Sequence, residues 1–134
     1  MTSSWTKQLG TSSSSCFTNQ YGYYPSSCGS SAGNGVTTDS SGNIYVTGYT
    51  EGGLRGNTYS DISDIFLVKY NSSGTKQWTK QLGTSSNDEG RGVSTDSSGN
   101  IYVTGSTGGG LDGNTSSGES DIFLVKYDSS GTKQ

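Results

Sequence analysis

The sequence predicts an all-β protein built from a tandem repeat of antiparallel strands. Short runs rich in β-branched and aromatic residues alternate with turn sequences of Ser, Gly, Asn and Asp. No stretch has apolar residues at the i, i+3, i+4, i+7 spacing of an amphipathic helix. Residues 36–77 match residues 93–134 at 34 of 42 positions, an offset of 57 residues, so the strands of one unit recur in the other.

Each unit is predicted to hold four strands. In the first unit they are strand A (35–39), strand B (44–50), strand C (65–71) and strand D (75–82). The second unit repeats A at 92–96, B at 101–107 and C at 122–128, and it has only residues 132–134 of strand D. Strand C is apolar on both sides, because Ile65 and Leu67 point one way and Phe66, Val68 and Tyr70 the other. Strands covered on both faces and a period near 57 residues are typical of β-propeller blades, which pack between two neighbours.

The repeat boundaries follow from a second repeated spacing. The block WTKQLGTSS opens both units, at 5–13 and 78–86, with an offset of 73 residues rather than 57. The first unit therefore carries an insertion, which we place at about residues 14–34. The predicted organisation is an N-terminal tail (1–4), a first repeat (5–77) and a second repeat (78–134).

Composition excludes several classes of function. The net charge of −3, with eight basic residues, leaves no electrostatic footprint for nucleic acid, and no apolar run is long enough for membrane insertion. The absence of His excludes a Ser-His-Asp triad and His metal sites, and no pair of acids is placed for glycoside hydrolysis. We expect no enzymatic activity, no cofactor and no metal. A calcium site before strand C is the alternative for the loop acids, which are Asp61 and Asp64, or Asp112, Glu119 and Asp121.

The repeated D-S-S-G-N sequences are predicted to be structural turns. Asp39 and Asp96 begin them, and Asp side chains cap turns by accepting hydrogen bonds from nearby backbone N–H groups. Gly42 and Gly99 supply the positive φ that such turns require. Asp64 and Asp121, before strand C, are interpreted in the same way.

The insertion contains the two cysteines and a Tyr-rich loop. Cys16 and Cys28 are spaced for a local disulfide, which implies an oxidising compartment, although MTSSWTKQ has no signal-peptide character. The loop between them either binds glycans by aromatic stacking or packs against a blade or a neighbouring subunit. Its residues are Phe17, Asn19, Gln20, Tyr21, Tyr23 and Tyr24. Asn71 and Asn114 begin glycosylation sequons.

The order of these motifs resembles a known family. WTKQLG, then GVxTDSSGNIYVTG, then DIFLVKYxSSGTKQ, is similar to the bacterial and archaeal SBBP-type β-propeller repeat. The resemblance implies blades of four antiparallel strands and a secreted or cell-surface protein. It implies no catalytic residues, because the family shares no catalytic signature.

Two blades do not close a propeller ring, so the sequence predicts completion by copies of itself. Strand D is divided between the two ends of the chain, and we expect residues 5–9 of one chain to add to the second blade of a neighbour. The expected exchange interface consists of Trp5, Thr6, Lys7, Gln8 and Leu9 on one chain, with Phe123, Val125, Thr132, Lys133 and Gln134 on the other. Such head-to-tail contacts make rings or filaments, and the predicted function is a non-enzymatic extracellular structural subunit. The alternatives are a lectin-like module, and a fragment of, or a piece engineered from, a longer propeller.

Overall fold

The chain folds into two antiparallel β-sheets. The computed structural model describes residues 4–10, 29–52 and 62–134. The first sheet consists of β1 (Ser31–Thr38), β2 (Ile44–Thr50), β3 (Asp64–Tyr70) and β4 (Lys76–Leu82), in that order. The second sheet consists of β5 (Asp88–Thr95), β6 (Ile101–Thr107) and β7 (Asp121–Tyr127), also in chain order. The prediction of an all-β protein with antiparallel sheets is confirmed.

Strands β1 and β5 begin earlier than predicted, at Ser31 and Asp88 rather than at 35 and 92. Residues 31–34, which sequence analysis assigned to the insertion, therefore belong to β1. Each of these strands has a register shift, between Gly33 and Gly35 and between Gly90 and Gly92. Bulges and glycines break the two-residue alternation by which strands are recognised, which is why the first residues of both strands were missed.

The D-S-S-G-N turns are held by their acidic side chains. Asp39 Oδ1 accepts the backbone N–H groups of Ser41 (2.9 Å) and Asn43 (3.0 Å), and Oδ2 accepts the Tyr45 hydroxyl (2.9 Å). Gly42 has a φ of 81°, and Gly99 in the second turn has a φ of 80°. Asp96 repeats these contacts with Ser98, Asn100 and Tyr102. The turns join β1 to β2 and β5 to β6 at equivalent positions.

The main core lies between the two sheets. One face of the first sheet contributes Tyr45, Ile65 and Leu67, all nearly inaccessible to solvent. The facing residues of the second sheet are Ile101, Val103, Phe123, Val125 and Tyr127, with Leu111 from the β6–β7 loop. Trp78 and Leu82 of β4 pack against the same cluster. Strand β3 is thus buried on both faces, as predicted, whereas β7 alternates between buried and exposed residues.

Polar contacts also join the sheets, and the buried acid Asp88 is central to them. Its carboxylate accepts the Thr107 hydroxyl (2.5 Å) and the Thr84 backbone N–H (2.6 Å), which fixes the connection from β4 to β5. Its own N–H donates to the Ser63 carbonyl of the first unit (3.0 Å). The bulge residue Asn34 donates to the Gly90 carbonyl (2.8 Å). These bonds set the rotation of one sheet on the other.

The β6–β7 loop includes a single 3₁₀ turn, Leu111–Gly113. Within the ranges that the structure describes, no helix is long and apolar enough to cross a membrane.

The carboxylates of Asp39 and Asp96 are expected to make the stability of the fold depend on pH in the acidic range. Hydrogen bonds from Asn100 and Tyr102 lower the pKa of Asp96, and they outweigh the effect of desolvation. At Asp39, burial raises the pKa, but the hydrogen bonds from Asn43 and Tyr45 together lower it below the usual value. A carboxyl with a lowered folded-state pKa stabilises the fold above its unfolded pKa of about 4, and this contribution is lost as pH falls through the folded-state value.

We predict that Asp39→Asn with Asp96→Asn lowers the melting temperature at neutral pH and makes its decline between about pH 5 and pH 2 shallower, because the amide does not titrate. Circular dichroism melts across this range measure the effect. Asn71→Asp is the matched control, because Asn71 holds the β3–β4 turn where Asp128 holds the equivalent turn after β7. It should make the decline steeper. Parallel pH profiles for all three proteins would contradict the assignment.

Candidate assembly interface

Residues 5–9 lie against the first sheet in the way that β4 lies against the second. A Cβ atom added to Gly74 would meet the Trp5 ring at 2.8 Å and Lys7 Cε at 2.9 Å. A Cβ atom added to Gly131, the repeat counterpart of Gly74, would meet the Trp78 ring and Lys80 Cε, both at 2.9 Å. The N-terminal segment therefore takes the place of a strand D from a preceding unit.

The apolar contacts of this segment show the same equivalence. Leu9 packs against a cluster of Phe66, Val68 and Tyr70, and Leu82 packs against the cluster that contains Phe123, Val125 and Tyr127. Together with Ile44 and Val46, the three residues Phe66, Val68 and Tyr70 form the first sheet's outer face. Residues 4–10 form no strand with the rest of the described chain, so their contact with this face is made through side chains.

The second sheet's outer face is exposed where its repeat counterpart is buried. Ile122 and Leu124 are 92% and 72% exposed, whereas Ile65 and Leu67, in the identical sequence DIFLVKY, are 2% and 1% exposed. Thr104 is exposed and Tyr102 half-buried, whereas Thr47 and Tyr45 are fully buried. These four residues, Tyr102, Thr104, Ile122 and Leu124, define the second sheet's outer face. Its chemistry is that of a face covered by another sheet.

The first sheet's outer face is also less buried than its repeat counterpart, which is the face of the second sheet that packs against the first. Val36 is 67% exposed, while its counterpart Val93 packs against the core between the sheets. Ile44 and Val46 are half-buried, while Ile101 and Val103 are fully buried. The two outer faces thus have the same apolar residues as the two inner faces that pack against each other within the chain.

Strand β7 also has a free edge in the described part of the chain. On the first sheet, β4 pairs with β3 from Ile65↔Leu82 to Tyr70↔Lys76. On the second sheet, the corresponding position has a single bridge, Tyr127↔Lys133, at the register of Tyr70↔Lys76. A groove of about 430 Å³ follows this edge, between β7 and the β6–β7 loop. Its lining includes Asp121 of β7 and Gly109 of the loop.

The structure revises the roles of several residues assigned to the receiving edge. Phe123 and Val125 point into the core between the sheets, so only their backbone is available to an added strand. Thr132, Lys133 and Gln134 are exposed beside the edge. Sequence reasoning missed Ile122 and Leu124, because their local sequence is the same as that of the buried Ile65 and Leu67.

Charges lie at one end of the edge. Lys133 Nζ pairs with Asp112 Oδ1 at 2.5 Å, and both side chains are partly exposed. Burial raises the pKa of Tyr127 to about 12, and the negative charge of Asp112 adds to this effect. Tyr127 is therefore neutral at physiological pH and packs as an apolar ring.

The predicted glycosylation, calcium and disulfide-loop residues lie outside this interface. Asn71 Oδ1 accepts the N–H groups of Ser73 and Thr75, and Asn114 Nδ2 donates to the Leu111 carbonyl, so both sequon residues have structural roles. The described residues include no group of three or more acids and cysteines that could hold a metal ion. The remaining residues lie outside the described ranges, and their roles stay predictions: Cys16, Phe17, Asn19, Gln20, Tyr21, Tyr23, Tyr24, Cys28 and Asp61.

The equivalence of Trp5 and Trp78 leads to a prediction for the dilute protein. Trp78 belongs to a strand ladder and packs in the core, so Trp78→Ala should lower the free energy of unfolding by about 3 kcal/mol. Trp5 is 40% exposed and in no ladder of the described chain, so Trp5→Ala should cost less than half as much. Urea titration at low protein concentration measures both values. Equal losses would contradict the placement of residues 5–9.

Comparison with known proteins identifies the repeat. The family model SBBP, described as a beta-propeller repeat, matches residues 4–55 and 77–112, about two thirds of the chain. A search of curated proteins found no match. The two matches cover the WTKQLG block and strands A and B of both units, so the resemblance noted in the sequence is confirmed. The chain therefore belongs to the SBBP β-propeller repeat family.

Proposed function

We propose that this protein is a non-enzymatic structural subunit whose two sheets act as propeller blades and which assembles head to tail with copies of itself. In the assembly, residues 5–9 of one copy add to the β7 edge of the next and complete its second sheet. At the same time, the first sheet's outer face covers the second sheet's outer face. The single observation that carries the proposal is the exposure of Ile122 and Leu124 beside the β7 edge, where the described residues supply only the Tyr127↔Lys133 bridge.

The proposed contact repeats one that the chain already makes. Within the chain, the face with Ile65 and Leu67 is covered by the second sheet, and β4 completes the first sheet. Between copies, Ile122 and Leu124 would be covered by the sheet that carries Phe66 and Val68. The apolar residues on either side are identical to their counterparts in the intramolecular contact, whereas Ser31 and Arg91 stand at the positions equivalent to Asp88 and Asn34.

Both parts of the contact are needed for association. Burial of Ile122 and Leu124 contributes about 1.5–3 kcal/mol for each side chain, whereas association costs about 4–15 kcal/mol in lost freedom. The face alone therefore falls short or barely suffices. Backbone pairing of residues 5–9 along β7, together with burial of Val36, supplies the remainder.

The contact is heterologous, because the two surfaces differ. Such contacts give a closed ring when the rotation between units closes, and a filament when it does not. In a longer polypeptide, the next repeat of the same chain would cover the same face, and the solution mass of the 134-residue chain distinguishes this alternative. We infer an extracellular location from the family resemblance and from the predicted Cys16–Cys28 disulfide.

The test is to place a charge on the second sheet's outer face. We predict that the wild-type chain forms oligomers in sedimentation velocity runs, and that Ile122→Asp raises the dissociation constant on the order of a hundredfold or more, because it buries a carboxylate opposite the apolar Leu9 of the added strand. The melting temperature of the dilute monomer should stay unchanged, because Ile122 is exposed there.

Ser97→Asp is the matched control. It adds the same charge at an exposed turn between β5 and β6, away from the outer face, and it should assemble like the wild type. A wild-type chain that sediments as a monomer at all concentrations, or an Ile122→Asp variant that assembles normally, would contradict the proposal.

A further inference from the structure

A polar contact fixes the position of β4 on the first sheet. Gln81 Nε2 donates to Asp64 Oδ2 at 3.0 Å and to the Gly52 carbonyl at 3.2 Å. Asp64 is completely buried, and a buried carboxylate is costly without hydrogen bonds. A β4 strand that slipped along β3 would take the carboxamide away from both acceptors, so this contact favours one register.

This role differs from the turn cap that sequence analysis assigned to Asp64. Asp64 is the first residue of β3, and the Gln81 that it binds lies on the neighbouring strand. This contact could not be predicted from the sequence, because the two residues lie 17 positions apart on different strands.

The second sheet contains the accepting half of the same contact. Asp121 and Gly109 are the counterparts of Asp64 and Gly52, and both line the groove beside β7. The Gly109 carbonyl lies 3.2 Å from the Thr107 hydroxyl oxygen, and the Gly52 carbonyl lies 2.9 Å from the Thr50 hydroxyl oxygen, so the two carbonyls are similarly placed. Asp121 Oδ2 accepts the Ser117 N–H at 2.8 Å, which orients the carboxylate.

We propose that Asp121 and Gly109 bind the carboxamide of Gln8 from a second copy, and that this contact sets the register of the added strand. The inference rests on the proposed function. Gln8 corresponds to Gln81 in the WTKQLG block, and Gln81 pairs with Phe66 on β3. The register of the added strand is therefore Gln8 opposite Phe123.

Other registers lack the donor. A slip of one residue would turn the side chains of residues 5–9 to the opposite faces and remove Leu9 from its apolar partners. A slip of two residues would bring Thr6 or Gly10 to the carboxylate, and neither has a carboxamide. Gln8 is exposed in the single chain, so it is free to serve as the specificity-determining residue of the interface.

Gln8→Glu in the full chain tests the inference. The new carboxylate would face the Asp121 carboxylate and the Gly109 carbonyl, three acceptors with no donor between them, and opposed like charges are destabilising. We expect the dissociation constant of the oligomer, measured by sedimentation, to rise at least tenfold. The melting temperature of the dilute monomer should be unchanged.

Two further variants show whether the effect arises at this contact. Adding Asp121→Asn to Gln8→Glu exchanges donor and acceptor, because the amide introduced at position 121 donates to the carboxylate introduced at position 8, while its oxygen still accepts from Ser117. This double variant should recover most of the lost association. Gln81→Glu makes the same change inside the first sheet, and it should lower the monomer melting temperature instead.

The outcomes separate the two proposals. Oligomers of the wild type together with unimpaired assembly of Gln8→Glu would overturn the register contact and leave strand complementation intact. Loss of assembly without recovery in the double variant would also overturn it. A wild-type chain that never assembles would overturn both.

Discussion

The structure depends on covering one apolar sheet face with the next sheet. The sequence DIFLVKY has large side chains on both sides, so a strand made from it buries all of them only between two partners. In β3 this condition is met, with the second sheet on one side and residues 5–9 on the other. In β7 it is met on one side only, and Ile122 and Leu124 face solvent. The proposed assembly would remove this difference by covering the exposed face of β7.

Residues 5–9 take part in two contacts, side-chain packing on the first sheet and the proposed strand addition to a second copy. Trp5 and Leu9 pack against the first sheet through their side chains, while the backbone of the segment forms no ladder in the described chain. A segment already held on the outer face is ordered before it meets a partner, which lowers the entropy lost on strand addition. The fold therefore presents the strand and the surface that surrounds it as one unit. In the proposed assembly, addition of the strand and coverage of the second sheet's outer face would occur together.

Much of the fold could be predicted from the sequence, because repeated turn sequences such as D-S-S-G-N leave little choice of hairpin. The early starts of β1 and β5 could not, since the bulges that follow Gly33 and Gly90 interrupt the alternation. The exposed outer face could not either, because Ile65 and Ile122 stand in identical local sequences and only the packing distinguishes them. The carboxamide contact of Gln81 with Asp64 joins residues on different strands, and pairing register is not readable from one strand.

The most direct test of the central claim is disulfide trapping between two chains that carry Lys7→Cys and Leu124→Cys respectively, each with Cys16→Ser and Cys28→Ser so that no native thiol competes. Lys80 pairs with Leu67 on the first sheet, so Lys7 of one copy should lie opposite Leu124 of another. Directly opposed residues bring their Cβ atoms to within about 5.5 Å, close to the distance that a disulfide requires. Mild oxidation of the mixture should give a covalent dimer that contains one of each chain. Failure of this mixed dimer to form, or a link within one chain that carries both substitutions, would contradict strand complementation between copies.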